Sequence, residues 1–256
     1  MSTSLETNRE ERVLRVTLNR PEKRNALSLA MCRELSDLLD EADRDDTLGA
    51  ALLEAKGNVF CAGMDLDEAL AGDADEHAAI HARIFTFGAR LSIPVIAAVG
   101  GPALGGGLGL VANAHIIVAA QGSSFGLTEI RLGMWPFLVY RAVATAIGER
   151  RALELALTGR IFGTQEAHAW GLAQHIVPAF ELDDRSWQIA SSVAGFSRDA
   201  VRRGLAYANE SRGLDNERAI ALAAQSRKPV FEGPDFREGV QAFREKRPPK
   251  WRRADQ

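Results

Sequence analysis

The sequence predicts an α/β core followed by an all-helical C-terminal region. Short apolar runs rich in β-formers alternate with segments of helical period up to about residue 180. From Glu181 onward nearly every pattern is helical, which points to a helical region appended to an α/β core. The length of 256 residues, at 46% hydrophobic content, suits one large domain or a domain with a helical appendage.

The elements follow in order. Val13-Leu-Arg-Val-Thr-Leu18 alternates and reads as a strand, and Asn19 to Asn25 is a polar connection. Ser28 is placed to cap a helix that runs to about Asp43, with Met31, Leu35, Leu38 and Leu39 at helical spacing. Leu48 to Glu54 is a second strand. A single helix is expected from about Asp75 to Leu91, then a buried strand from Val95 to Val99. A helix follows the glycines at 105–107, and His115 to Ala120 is again a strand. The C-terminal helices are expected over Asp183–Ala194, Asp199–Glu210, Asn216–Ser226 and Phe236–Lys246. Gly195-Phe-Ser197 marks a boundary between a core, residues 1–195, and a helical region, residues 196–256.

Charge narrows the partners. The net charge of −3 leaves no basic field for nucleic acid and no polybasic patch for a membrane surface. The one dense basic run, Arg244 to Arg253, reads as a solvated tail. The two cysteines, Cys32 and Cys61, read as reduced thiols. The N-terminal residues are polar with no apolar core of a signal peptide, and no window approaches a membrane span, so a cytoplasmic protein is expected.

The chemistry centres on Ala103-Leu-Gly-Gly-Gly-Leu108, between a buried strand and a helix. Glycines at such a junction let a ligand approach bare backbone N–H groups. A phosphate loop would need Lys-Ser/Thr after the last glycine, but Leu108 and Gly109 stand there. Gly107-Leu-Gly109-Leu-Val-Ala112 fits a dinucleotide fingerprint, yet the residue ending the next strand is Gln121, where an acid is required. A third use is to hold an oxyanion. That needs a second donor, for which the small-residue turn Phe60-Cys-Ala-Gly-Met-Asp-Leu66 is the candidate.

Together these segments resemble the paired oxyanion-hole motifs of the enoyl-CoA hydratase/isomerase (crotonase) family. Val59 to Leu66 is similar to the first and Ala103 to Leu108 to the second. Asn19-Arg-Pro-Glu-Lys-Arg-Asn-Ala-Leu27 resembles the family's N-terminal motif. Leu157 to Ile161, Glu166 to Leu172 and Ala242 to Lys250 resemble its later segments, so the likeness covers nearly the whole chain.

The resemblance implies a crotonase-like spiral of ββα units with a helical C-terminal trimerisation region, assembled as a homotrimer or dimer of trimers. It implies an acyl-CoA thioester substrate and no separate cofactor, coenzyme A being part of the substrate. The N–H groups of Met64 and Gly106 would hold the thioester oxygen, and Glu129 would be the catalytic acid–base group. Arg24, Ala26, Ala62, Asp65 and Leu66 would border the CoA-side loops, Asp65 as a turn or helix-start residue. Phe243 and Lys246 match tail positions that reach the CoA nucleotide.

Hydratases of the family usually carry two glutamates, and the first of these positions is Gly109 here. Hydration divides naturally between two carboxylates, whereas a 1,3-shift of a double bond needs one group that moves one proton. After Glu129 the segment reads Met134-Trp-Pro-Phe137, where many hydratases are glycine-rich. This resembles the single-glutamate 3,2-enoyl-CoA isomerases, with Met134, Trp135 and Phe137 expected to form a tight apolar wall that raises the Glu129 pKa. A glutamate introduced at Gly109 is then expected to face Glu129 and add some hydratase activity. Hydration by Glu129 alone and a non-catalytic acyl-CoA-binding protein are the alternatives.

Two further features carry less. His77 and His81 are four apart, but the zinc-protease pattern needs Glu where Ala78 stands, so they read as a structural or solvated pair and no metal is expected. Cys61 has no histidine near it in sequence to act as a base, and reads as a small buried thiol.

Overall fold

The polar N-terminal segment, with Leu5 as its one buried residue, forms β1 (Leu5–Glu10), and Glu11 at positive φ turns the chain back into β2 (Val13–Leu18). The computed structural model describes residues 4–71 and 73–251. Of the segments read above, Met1 to Thr3 and the tail arginines Arg252 and Arg253 lie outside the described residues. Helix α1 (Leu29–Arg44) starts where Ser28 accepts a hydrogen bond from the Met31 N–H at 3.2 Å. It buries Met31, Cys32, Leu35 and Leu39 along one face. Next come β3 (Ala50–Ala55), α2 (Leu66–Ala71), α3 (Ala74–Ile84), α4 (Phe87–Arg90) and β4 (Val95–Val99).

The single helix expected from Asp75 to Leu91 is therefore two. The chain leaves helical geometry at Phe85 and resumes after Thr86. The break lets both Phe85 and Phe87 enter the core, and neither Gly nor Pro marks it.

The glycine segment supplies β5 (Ala103–Leu104) and α5 (Gly106–Asn113), followed by β6 (Ile116–Ala120) and β7 (Ser124–Gly126). Then come α6 (Phe137–Ile147), α7 (Glu149–Thr158), β8 (Ile161–Gly163), α8 (Thr164–Ala169) and β9 (His175–Val177). The chain ends in α9 (Leu182–Ala194), α10 (Arg198–Glu210), α11 (Asn216–Glu232) and α12 (Pro234–Glu245).

The main sheet has the order β1-β2-β3-β4-β6-β9. Only β1–β2 is antiparallel, and the other pairs are parallel. A sheet of parallel strands needs cover on both faces. Val16, Leu18, Ala51, Leu53, Val95 and Ala97 face the large core shared with α1. Their alternates Val13, Ala50, Leu52, Ile96 and Val118 face Ala190 and Ala194 of α9. Strands β5, β7 and β8 form a separate small sheet that sets the height of the glycine turn.

The last helices differ from the core. Helices α10 and α11 bury no residue, and Ile220, Phe231 and Phe236 are exposed. Among the described residues no helix is long and apolar enough to cross a membrane.

Candidate active site

Two loops distant in sequence are stitched together by backbone bonds. Cys61 N–H donates to the Pro102 carbonyl at 3.1 Å, and Leu104 N–H donates to the Cys61 carbonyl at 2.9 Å. On the other side, Leu27 N–H donates to Gly63 O at 2.7 Å and Asp65 N–H to Leu27 O at 3.0 Å. The segment from Cys61 to Asp65 is thus held between Leu27 and β5. Gly105 turns the chain from β5 into α5 with φ 53° and ψ −120°, a conformation that a side chain would strain. A Cβ on Gly107 would lie 2.3 Å from the Cys61 carbonyl, so only glycine allows this approach.

The stitching leaves two donors over. Gly106 is the first residue of α5, so its N–H has no intrahelical acceptor. Met64 pairs with Leu27 through its neighbours' groups, not its own N–H. Neither N–H meets a protein acceptor among the described residues. Both residues line one cavity of about 380 Å³. The N-terminal end of α5 adds a partial positive charge where Gly106 stands.

Glu129 opens a short 3₁₀ turn, Glu129–Leu132, that Gly133 ends in left-handed geometry. Its side chain reaches back to the glycine turn: a Cβ on Gly105 would lie 3.2 Å from Oε1. The residue is 9% exposed, and its buried Oε2 has no hydrogen-bond partner. Burial pushes its carboxyl above the ordinary value near 4.5. A desolvated carboxylate beside two idle N–H donors can take a carbon-bound proton while the N–H groups hold the resulting negative oxygen.

Gly109, where hydratases of the family usually carry their other glutamate, is closed to a side chain. A Cβ on Gly109 would lie 2.4 Å from Val139 Cγ1 and 2.9 Å from Phe85 Cδ1. The expectation that a glutamate at Gly109 fits and faces Glu129 is therefore corrected: two buried apolar side chains occupy its path.

The apolar wall is present but more open than expected: Met134, Trp135 and Phe137 all line the Glu129 cavity. Trp135 is half-buried, packs against the core, and lines the cavity. Met134 and Phe137 line it from the rim, where both are exposed, Phe137 at 78%. The reason is helical geometry: Val139, Val143 and Ile147 form the buried stripe of α6, and Phe137, two residues before Val139, points the other way.

Of the other predicted residues, Ala62 and Leu66 line the cavity, and Ala26 does not. Arg24 is exposed beside it in chain order, with its carbonyl accepting from Ala62 N–H at 3.0 Å. Asp65 is buried and bonded to Arg20 at 2.9 Å. Burial pushes its carboxyl up, but Arg20 and the Lys23 charge outweigh this and hold it below the usual carboxylate range. It opens α2, as a helix-start residue should. Phe243 and Lys246 stand on and just after α12; Phe243 lines a different cavity, of about 870 Å³, with Ser197 and Trp251. Neither residue reaches the Glu129 cavity within one chain. Cys61 is fully buried, and burial pushes its thiol up to about 12, which leaves it inert as a nucleophile.

Three positions at or behind the site are not singled out as site residues by the sequence, although His81 reads there as a structural or solvated residue. Arg20 ties Asp65 and the Ala26 carbonyl, the latter at 2.7 Å. Asn25 is wholly buried at φ 52° and donates to the carbonyls of Lys56 and Val59. Buried polar residues in a turn are the only signal, and their partners lie 31 and 34 residues away. The third, His81, lines the cavity itself. It and His77 come together without a third metal-ligating side chain among the described residues.

The sequence profile of the enoyl-CoA hydratase/isomerase family matches residues 8–254. The mevalonyl-coenzyme A hydratase of Aspergillus fumigatus is 38% identical over 94% of this chain and 91% of its own. The crystal structure of enoyl-CoA hydratase from Bacillus anthracis has a TM-score of 0.91 at 32% identity, covering 97% of this chain and 99% of that one. Human enoyl-CoA hydratase domain-containing protein 3 has a TM-score of 0.92 at 31% identity, covering 97% and 100%. An α/β spiral with this sheet order and a helical C-terminal region is the crotonase fold. The chain belongs to the enoyl-CoA hydratase/isomerase family and is an enzyme acting on CoA thioesters.

Proposed function

We propose that the enzyme isomerises 3-enoyl-CoA to 2-enoyl-CoA with Glu129 as its one acid–base group. The Glu129 carboxylate takes a proton from C2 of the thioester. The C–H electron pair extends the double bond into a dienolate, whose charge rests on the thioester oxygen between the N–H groups of Met64 and Gly106. Protonated Glu129 returns the same proton to C4, which leaves the 2-enoyl product. The observation that carries this reading is the apolar filling by Val139 and Phe85 where a second carboxylate would project from Gly109.

Preorganised donors and the α5 terminus supply the largest share of the barrier reduction, each donor being worth about 2.7–4 kcal/mol. Arg20, Asp65 and Asn25 hold the donor loop from outside the cavity lining. The unburied faces of α10 and α11 support self-association, which the family resemblance extends to trimers. Arg24, Phe243 and Lys246 then serve the CoA moiety, the latter two from a neighbouring subunit.

Hydration of a 2-enoyl-CoA is the second reading, favoured by the hydratase names of the relatives. Supplying 2-enoyl and 3-enoyl thioesters side by side, with products assigned by mass and double-bond position, separates the two. Faster loss of the 3-enoyl substrate without mass change supports isomerisation. Addition of water to the 2-enoyl substrate as the faster reaction replaces it with hydration.

A further inference from the structure

Around Glu129 the cavity is mostly hydrocarbon; its other polar side-chain groups are the Thr128 hydroxyl, the Trp135 indole N–H and His81, and of these His81 alone also offers a nitrogen acceptor. The isomerisation above leaves His81 without a task. The residue sits on α3, in line with His77 and Ile84 at helical spacing on the buried face. It is 7% exposed, and that remaining surface opens on the cavity. No protein hydrogen bond reaches either of its ring nitrogens among the described residues.

Its neighbours do not relieve this. The His77 ring stands edge-on at 5.9 Å, and His77 Nε2 is itself buried without a partner. The Phe85 ring lies at 5.6 Å on the other side. Burial, aided by the His77 charge, holds the His81 pKa below the usual 6.5, so the ring is neutral at pH 7 and offers one N–H donor and one bare acceptor. Buried polar atoms in folded proteins are paired, and a cavity wall is paired by what the cavity holds. An unsubstituted acyl chain would leave both atoms unmatched.

A carboxylate on the chain does not fit, because no Lys or Arg lines the cavity and Glu129 already does. A hydroxyl can match whichever ring nitrogen faces the cavity, since it can accept from the N–H or donate to the bare nitrogen. We propose that His81 is a specificity-determining residue that selects acyl-CoA substrates carrying a hydroxyl group on the acyl chain. This rests on the proposed function for the reaction but concerns binding by a different wall of the same cavity.

The test uses six-carbon acyl-CoAs, plain and with a hydroxyl at successive carbons beyond the reacting double bond. Saturated versions are titrated by calorimetry, and 3-enoyl versions are assayed for kcat/KM. At least one hydroxylated compound should bind and react about 10- to 100-fold better than its plain counterpart, the discrimination expected of one matched buried polar pair. His81→Leu should abolish that preference and bind the plain chain at least as well as wild type does. His81→Gln, which keeps a donor and an acceptor, should retain part of it and serves if the leucine variant fails to fold.

Equal binding of plain and hydroxylated chains by wild type would mean that water serves His81, and would overturn the proposal. So would a preference that survives in His81→Leu. If no 3-enoyl compound reacts but the saturated hydroxyacyl-CoA still binds preferentially, the isomerase reading falls and the assignment of His81 stands.

Discussion

Replacing Gly109 by Ala tests the filled space directly, without adding charge. Glycine to alanine inside a helix ordinarily stabilises by about 1 kcal/mol. Here the new methyl would begin 2.4 Å from Val139 Cγ1 and 2.9–3.0 Å from two atoms of the Phe85 ring. Val139 is 4% exposed and Phe85 6%, so neither can step into solvent. Overpacking of this kind costs about 1–3 kcal/mol. Less the helix-propensity gain, the net loss is up to about 2 kcal/mol, and at ~2–4 °C per kcal/mol the melting temperature should fall by up to roughly 8 °C. Gly109→Glu should fall further, since it buries a carboxylate with no partner, and should gain no hydratase activity. Val139→Ala should rescue Gly109→Ala in part, with a coupling of about 1 kcal/mol or more between the two sites. The assay is thermal unfolding of the four-variant cycle, with hydration followed by loss of the enoyl absorbance. A Gly109→Ala variant about 1 kcal/mol more stable than wild type, or a folded Gly109→Glu variant that hydrates 2-enoyl-CoA, would refute the steric reasoning.

Four other outcomes follow from the same structure. Because the folded-state pKa of Glu129 is raised, its contribution to stability is present at low pH and lost as pH rises through that value; Glu129→Gln should therefore melt higher than wild type at pH 8 and lose this margin near pH 4, by calorimetry. The acidic limb of wild-type kcat/KM should lie above pH 4.5, and a limb at or below that value would place the base elsewhere. Gly106→Pro removes one donor at a first helical position, where proline is tolerated, and should cut kcat by about 10²–10³ in a variant with native circular dichroism; near-normal rate would put the oxyanion elsewhere. Deleting residues 197–256 should convert an oligomer to monomer or aggregate in light scattering, and an intact chain that scatters as a monomer would contradict the role given to α10 and α11.

Much of the scaffold could be read from local pattern. Strands β2, β3, β4 and β6 are apolar runs, and Ser28 announces α1. Strand β1 could not be read that way: only Leu5 of its six residues is buried, and it exists because β2 offers it an edge. The break at Phe85 is set by what the core accepts, not by a breaker residue. At the site, the glycines and Glu129 stand out because their chemistry demands them locally. Arg20, Asn25 and His81 do not, because each acts through a partner or a cavity that exists only after folding. The exposure of Phe137 was not legible for a related reason, since an aromatic beside a proline says nothing about how deeply it packs along α6.

The central claim is that one carboxylate, Glu129, carries one proton between two carbons of a CoA thioester. It is tested most directly with 3-enoyl-CoA deuterated at C2, in ordinary water, with wild type and Glu129→Gln. Wild type should deliver 2-enoyl-CoA with part of the label at C4, and Glu129→Gln should slow the shift by about 10²–10⁴-fold. A product with only solvent hydrogen at C4, formed at an undiminished rate by Glu129→Gln, would contradict it.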